Sequence, residues 1–198
     1  MTEYHYNTVH KIIGSSIVWN ELFWKGQYQI WDNLDVLGMA IKYINAEFNE
    51  YLESKERWLE TDNAHDYFHM IEELYDTIWT VGSFFYHLAE VTGQGQTAYQ
   101  MFMSCENGSP DELSLEEAER NFITSVNLPF VISGQIASDT YDLFWAFFEM
   151  CRFQDHPYRS IKVKEDFAFM IHVVEQKNFD KWLNATHEIK PTGEIKKY

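Results

Sequence analysis

Two short acidic pairs are the residues of this chain best suited to carry out chemistry. Glu47 and Glu50 lie in the segment NAEFNEYLES, and Glu73 and Asp76 lie in HMIEELYDTIW. The carboxylates of each pair are three positions apart, so on a helix of about 3.6 residues per turn they share nearly the same side. Four carboxylates that converge from two helices repel one another unless a cation lies among them, and oxygen ligands favour Mg²⁺ or Mn²⁺. The spacing therefore predicts a metal site, and we expect that site to handle phosphate.

A late segment, EQKNFDKW, carries a second group of polar residues. Lys177, Asn178 and Lys181 lie on adjoining parts of one face if this segment is helical. An ordinary amphipathic surface would produce the same pattern. In a chain with a net charge of −16, such a group is also suited to hold the terminal phosphates of a substrate whose other phosphates are held by metal.

The histidines offer a competing metal site. His65 and His69 are four positions apart and lie on the same helix face as Glu73, so the three residues could form a zinc or iron set. The segment HDYFH lacks the glutamate of a zincin, and the paired E-x-x-H motifs of a di-iron bundle are absent. Neutral histidines on a helix surface are therefore favoured over a histidine-ligated metal.

Helical periodicity runs through most of the chain, and strand-like alternation is almost absent, so we predict an all-α fold. Capping residues at 61–63, and Ser114 followed by Glu117, mark two of the helix starts. Pro129 is suited to the first turn of another helix. The predicted helices cover about 8–23, 32–58, from the caps at 61–63 to 91, a short stretch near 99, 114–125, 129–153 and 161–184, with loops at 105–112 and 155–159.

The helical pattern also predicts how deeply the acidic pairs are buried. Glu47 and Glu50 flank the apolar stripe of their helix, so both are expected to be partly buried. Glu73 and Asp76 project away from the apolar face of their helix and would normally face water. The second half of that helix is apolar on every side, which indicates a central helix packed all round and therefore buries both carboxylates.

The length and composition favour one large helical domain. A chain of 198 residues, 17% of them aromatic, can build a sizeable aromatic core. We assign residues 1–186 to a single all-α domain and residues 187–198 to a polar C-terminal tail. The loop at 108–110 is the one place where two halves could divide.

Charge and cysteine content limit the partners and the compartment. A net charge of −16 without a Lys/Arg-rich stretch argues against a nucleic acid partner. A free nucleotide remains compatible, because a divalent ion can offset its phosphates at one site. Cys105 and Cys151 are too few for a disulfide framework, and both are expected to be reduced thiols. No signal-peptide pattern and no membrane-length apolar stretch occur, so we expect a soluble, cytoplasmic protein without membrane contact.

A weak internal repeat is visible. AEFNEYLES at 46–54 is similar to AERNFITS at 118–125, and YDTIW at 75–79 is similar to YDLFW at 141–145, in the same order. A second copy would keep Glu119 and two aspartates but would have Phe122 where Glu50 stands. Such a copy would be catalytically weakened, although short helical segments also match by accident.

The two acidic motifs resemble those of the all-α nucleoside triphosphate pyrophosphatases, which include MazG, the dimeric dUTPases and phosphoribosyl-ATP pyrophosphatase. The family pattern is E-x-x-E, a spacer of one to two dozen residues, and E-x-x-D, and this chain matches it in order with 22 residues between Glu50 and Glu73. Lys177 and Asn178 resemble the Lys-Asn motif of a late helix in that family. The resemblance covers residues 34–92 clearly and 165–184 loosely.

The resemblance implies a helical bundle of this pyrophosphatase type with extra helices, assembled as a homodimer or homotetramer. It implies hydrolysis of a nucleoside triphosphate to the monophosphate and pyrophosphate with Mg²⁺, or with Mn²⁺ in its place. Nucleotide-pool cleaning or a dUTPase-like activity would be such a reaction. The implied metal ligands are Glu47, Glu50, Glu73 and Asp76.

The remaining site residues follow from the same resemblance. Glu50 is the residue expected to activate the attacking water. The expected phosphate contacts are Lys55, Lys177, Asn178 and Lys181, and the residues expected to stack on the base are Trp24 or Trp31. An alternative of a different class is a catalytically inactive helical protein that binds a nucleotide or another protein through its acidic surface.

Overall fold

The computed structural model describes residues 3–24, 35–92, 96–104, 113–129, 132–153 and 159–184. All the regular structure in these residues is helical, which confirms the predicted all-α fold. The helices are α1 Glu3–Trp24, α2 Val36–Thr61, α3 Ala64–Thr92, α4 Ala98–Ser104, α5 Leu115–Val126, α6 Ser133–Phe153 and α7 Arg159–Asn184. The predicted loop at 105–112 lies outside the described residues, as do most of the predicted turn at 155–159 and the predicted tail.

Helix α3 lies at the centre of the bundle. It contacts α1, α2, α4, α6 and α7, and its most extensive contact is with α2. From Leu74 to Leu88 almost every side chain of α3 is buried, so the helix has no solvent face over that stretch. The prediction of a central helix is confirmed, and any polar group on its middle turns must find partners inside the protein.

One cluster of buried apolar side chains includes residues from each of the seven helices in the described part of the chain. Its largest fully buried members are aromatic, among them Tyr75, Phe84 and Phe144. Phe167 of α7 packs edge-on against Tyr75 of α3, with ring centroids 5.9 Å apart. The Tyr75 hydroxyl donates to the Phe167 carbonyl over 2.9 Å, which fixes α7 against α3.

A close approach of α1 and α3 depends on Gly82. A β-carbon at that position would lie 2.7 Å from the Ser16 β-carbon, closer than real contacts allow. The Ser16 hydroxyl donates to the Trp79 carbonyl over 2.6 Å. The absence of a side chain at Gly82 thus allows a hydroxyl of α1 to reach the backbone of α3.

The capping chemistry confirms one predicted helix start and corrects another. Ser114 and Glu117 form the expected capping box of α5. The prediction that α6 begins at Pro129 is wrong, because Pro129 lies in a bend after α5. Helix α6 instead begins at Ser133, where the Ile132 carbonyl accepts from the amides of Gln135 and Ile136.

None of the described helices is both long enough and apolar enough to cross a membrane. Cys151 is a buried cysteine of α6, and Cys105 lies outside the described residues, so the expectation that both are reduced thiols stays a prediction.

Candidate metal and phosphate site

Helices α2 and α3 bring three of the four predicted metal ligands together. Glu47 of α2 and Glu73 and Asp76 of α3 each contribute one carboxylate oxygen to a set in which all oxygens lie within 4.8 Å of one another. We refer to these three residues as the carboxylate cluster. Oxygens bound to one divalent ion at about 2.1–2.4 Å lie at most about 4.2–4.8 Å apart. The cluster therefore has the dimensions of a single cation site.

The burial of the cluster follows from the central position of α3. Glu73 is 5% exposed and Asp76 is 6% exposed, while Glu47 is half-buried on the neighbouring face of α2. The prediction that both carboxylates of α3 are buried is confirmed, and so is the partial burial of Glu47. Among the described residues, this is the one place where three potential metal-ligating groups converge.

Glu50 lies at the rim of the cluster and is exposed, so the expectation that it is partly buried is wrong. A three-residue step on a helix rotates the side chain by about 60°, and here that rotation turns Glu50 toward solvent. Its charge still reaches the cluster, because it contributes to the raised pKa values of Glu47 and Glu73. Glu50 is thus placed to contact water beside the cluster.

The electrostatics show that the cluster is short of positive charge. Burial, followed by the charge of Asp76, raises the pKa of Glu47 to about 7. The same two causes raise the pKa of Glu73 to about 7. Both groups therefore hold protons over much of the range in which an ordinary glutamate is ionised. A divalent cation would replace those protons, so the donor set fits Mg²⁺ or Mn²⁺.

Helix α7 adds a lysine to the cluster. The Lys177 ammonium lies 2.7 Å from Asp76 Oδ2 and 2.7 Å from Glu72 Oε1. Burial lowers the pKa of Lys177, but the neighbouring carboxylates of Asp76 and Glu72 outweigh that effect, so the pKa is raised above its ordinary value. Lys177 is therefore a firmly charged group at the edge of the cluster.

The adjacent amide is fixed in place. Asn178 is 7% exposed, and its Nδ2 donates to Asp76 Oδ1 over 3.3 Å and to the Val174 carbonyl over 3.0 Å. Its backbone carbonyl accepts from Trp19 Nε1 over 2.8 Å. These contacts hold the Asn178 amide against the cluster.

The third member of the predicted group, Lys181, is exposed one turn further along α7. Its ammonium lies 3.5 Å from Asn178 Oδ1. Lys181 and Lys177 both lower the pKa of Glu47. The structure therefore brings Lys177, Asn178 and Lys181 to the carboxylate cluster across about 100 residues of sequence.

The histidine set is not formed in the described residues. His65 is 86% exposed and its Nδ1 contacts Asp66, so it does not join the cluster. His69 Nδ1 lies 3.1 Å from Glu73 Oε1 and orients that carboxylate. His69 therefore contacts one ligand of the cluster, and the i, i+4 spacing from His69 to Glu73 is the sequence signal that could have indicated this contact.

Glu72 is a site residue that the sequence pattern did not reveal. It binds Lys177, yet it is not a member of the cluster. The E-x-x-D spacing selects Glu73 together with Asp76 and gives no role to Glu72. Only the position of α7 shows that Glu72 holds a lysine.

Lys55 does not contact the cluster, so its position does not support the expected contact with phosphate. Its ammonium lies 2.6 Å and 2.7 Å from the two carboxylate oxygens of Glu119 in α5. The Tyr51 hydroxyl donates to the same carboxylate over 2.6 Å. The ammonium of Lys55 neutralises a buried acid between α2 and α5, which is a structural role.

The position of Trp24 does not support the expected stacking on a base either. Trp24 is 4% exposed, its Nε1 donates to Asn20 Oδ1 over 3.1 Å, and its ring packs edge-on against Phe23 and His87. A ring buried in this way has no free face for a base. Trp31, the other expected stacking residue, lies outside the described residues.

The second half of the weak repeat carries buried acids without a comparable cluster. Glu119 is held by Lys55 and Tyr51, and Asp139 accepts from Gln135 Nε2 over 2.8 Å. Within the described ranges, neither Glu119 nor Asp139 belongs to a group of three potential metal ligands. The duplication itself stays a prediction.

A cavity of about 190 Å³ lies beside the first turns of α3 and α7. None of its lining residues belongs to the cluster, and its walls are mostly apolar. The cluster offers convergent carboxylate and ammonium groups, which can bind metal and phosphate, whereas these walls offer no ligand set. The lining residues are Trp58, Asp62, Asn63, Ala64, Tyr67, Cys151, Lys162, Val163 and Asp166.

Comparisons of the chain with protein-family models, with curated proteins and with solved structures give no significant match. The functional assignment therefore depends on the site residues and their geometry.

Proposed function

We propose that this chain is a magnesium-dependent nucleoside triphosphate pyrophosphohydrolase that converts a (deoxy)nucleoside triphosphate and water to the monophosphate and pyrophosphate. One observation carries the proposal: the carboxylate cluster meets Lys177 and Asn178 of α7. If the buried carboxylates only needed their charge to be neutralised, one cationic partner for each would be enough. Here a cation-sized set of oxygens lies beside two lysines and an amide, which is the combination that a metal-bound polyphosphate requires.

Mg²⁺ bound at this site would neutralise phosphate charge and lower the pKa of a water molecule. Glu47, Glu73 and Asp76 would hold the ion. Glu50, exposed at the rim, would accept the proton of the attacking water. The water oxygen would form a bond to the α-phosphorus, and the bond from that phosphorus to the oxygen bridging to the β-phosphate would break.

The Lys-Asn-Lys group would bind the leaving pyrophosphate. Lys177 and Lys181 both act on the pKa of Glu47 in the cluster, and the Asn178 amide supplies a fixed donor. Charged donors bind phosphate oxygens more strongly than neutral ones. Their position on one side of the cluster would set the direction in which the triphosphate chain lies.

The activity is tested with a panel of canonical and modified nucleoside triphosphates. Purified protein is incubated with each nucleotide in Mg²⁺, in Mn²⁺ or in excess chelator, and both products are measured. We expect the monophosphate and pyrophosphate in equal amounts, only when metal is present. Release of inorganic phosphate alone, or no release from any nucleotide, would contradict the proposal.

The second candidate is an inactive nucleotide- or protein-binding protein, and the Lys177 contacts favour it. An ammonium that already bridges Asp76 and Glu72 neutralises part of the cluster without any metal. Calorimetry with a non-hydrolysable triphosphate analogue separates the two candidates. Binding of the analogue without turnover of any natural nucleotide would favour the inactive protein.

The oligomeric state and the compartment belong to the same proposal. We expect a homodimer or homotetramer that acts in the cytoplasm. Light scattering of the purified chain tests the assembly, and a monomer at micromolar concentration would contradict it.

A further inference from the structure

Both carboxylate oxygens of Asp76 already have partners. Oδ2 accepts from the Lys177 ammonium over 2.7 Å, and Oδ1 accepts from Asn178 over 3.3 Å. A divalent ion bound to Oδ2 would lie only a few ångströms from the ammonium, where the two positive charges repel strongly. Lys177 and a metal ion therefore compete for the carboxylate of Asp76.

Glu72 gives Lys177 a second anchor outside the cluster. The Lys177 ammonium lies as close to Glu72 Oε1 as to Asp76 Oδ2, at 2.7 Å. Glu72 is one-quarter exposed and is not a member of the cluster. If the bond to Asp76 breaks, the bond to Glu72 can remain, so Lys177 need not leave the site.

We propose that Lys177 is the internal counter-ion of the cluster and exchanges with the metal. Binding of a divalent cation to Glu47, Glu73 and Asp76 displaces the Lys177 ammonium from Asp76. Glu72 acts as a positioning residue that keeps the displaced ammonium beside the site, where it meets the terminal phosphates of the substrate. The phosphate part rests on the proposed function, whereas the exchange with metal is measurable without any nucleotide.

The exchange is tested by titrating Mn²⁺ into the full chain in a calorimeter, with K177M and K181M as a matched pair. Each substitution removes one positive charge that acts on Glu47. Of the two lysines, only Lys177 contacts Asp76. We expect K177M to bind Mn²⁺ about tenfold more tightly than K181M, since a charge-assisted hydrogen bond no longer has to break. Equal affinities of the two variants would overturn the exchange.

The same titration separates failure of this inference from failure of the proposed function. Mn²⁺ binding with equal affinity in K177M and K181M overturns the exchange but leaves the pyrophosphatase proposal standing. No Mn²⁺ binding by the wild-type chain or either variant overturns both. Circular dichroism establishes that each variant is folded, and K177R, which keeps the charge, serves as a second variant that should bind like the wild type.

The role of Glu72 is tested by a double-mutant cycle on the binding of a non-hydrolysable triphosphate analogue at saturating Mn²⁺. We expect E72Q to weaken analogue binding about fivefold when Lys177 is present and to have no effect in the K177M background, because Glu72 acts through Lys177. Equal weakening in both backgrounds would overturn the positioning role. An analogue that does not bind the wild-type chain would overturn the proposed function and the phosphate role together, leaving the Mn²⁺ titration to decide the exchange.

Discussion

Asn178 Nδ2 lies 3.3 Å from Asp76 Oδ1, although the two residues are 102 positions apart in sequence. The contact joins the late Lys-Asn motif of α7 to the second acidic motif in α3. Asn178 is held at the same time by Trp19 of α1 and by the Val174 carbonyl. Residues of α1, α3 and α7 therefore fix the Asn178 amide against the Asp76 carboxylate.

The raised pKa of Glu73 predicts a pH dependence of stability. Its folded pKa of about 7 lies above the ordinary value of 4.5, so between these pH values the folded state holds a proton that the unfolded state has released. The free energy of unfolding therefore falls as pH rises through this interval, and the loss is complete above about pH 7. In metal-free buffer, the wild type should lose Tm relative to Glu73→Gln between pH 5 and pH 8.

The informative quantity is the difference in Tm between the wild type and Glu73→Gln. Burial lowers the pKa values of His5 and His87 to about 4, which gives the opposite slope, but both proteins contain these histidines. Saturating Mg²⁺ at pH 8 should raise the Tm of the wild type more than that of Glu73→Gln. A Tm difference that stays constant from pH 5 to pH 8 would contradict the buried, cation-deficient cluster.

Lys55 is expected to stabilise the fold without affecting catalysis. Lys55→Met leaves the Glu119 carboxylate between α2 and α5 without its cation, and the expected loss is about 3 kcal/mol of unfolding free energy. Urea denaturation measures this loss, and Glu119→Gln in the same chain should restore part of it. A large rise in KM for a nucleotide in the folded Lys55→Met variant would show instead that Lys55 contacts substrate.

Trp24 is expected to act in the core. Trp24→Phe removes the hydrogen bond to Asn20 and leaves a smaller ring beside His87, so about 1–2 kcal/mol of stability should be lost. KM for any accepted nucleotide should stay unchanged. Steady-state kinetics check this, and a several-fold increase in KM would restore the base-stacking interpretation.

Two glycines test the packing of the bundle. Gly82→Ala drives a methyl group into Ser16 of α1 and should cost about 1–3 kcal/mol. A β-carbon added at Gly134 of α6 would meet no atom within 4 Å, so Gly134→Ala should be neutral or stabilising by up to about 1 kcal/mol. Thermal denaturation of the pair measures the difference, and equal Tm values would contradict the close contact of α1 and α3.

Much of the fold could be predicted from sequence because its signals are local. Helical periodicity predicts where the helices lie, and the capping box at Ser114 marks a start through residues three positions apart. Pro129 gave a wrong helix start, since a proline suits the first turn of a helix and equally a bend before one. The true start depends on the Ile132 carbonyl, for which the sequence carries no comparable signal.

For the candidate site too, local sequence signals predict one part, and the rest depends on tertiary packing. The spacing of Glu73 and Asp76 predicts a shared helix face, and the apolar second half of α3 predicts their burial. The partner of Lys55 and the burial of Trp24 depend on tertiary packing. Glu119 lies 64 residues from Lys55 in sequence, and α1 buries side chains on more than one face. The contact of Glu72 with Lys177 likewise depends on how α7 packs against α3.

The most direct test of the central claim is Mg²⁺-dependent pyrophosphate release by Asp76→Asn, compared with Glu56→Gln as the control. Asp76 is the carboxylate shared by the cluster, Lys177 and Asn178, whereas Glu56 is an exposed acid on α2. We predict that Asp76→Asn stays folded and loses activity by at least about 100-fold, while Glu56→Gln keeps the wild-type rate. Pyrophosphate release by Asp76→Asn at the wild-type rate would contradict the account.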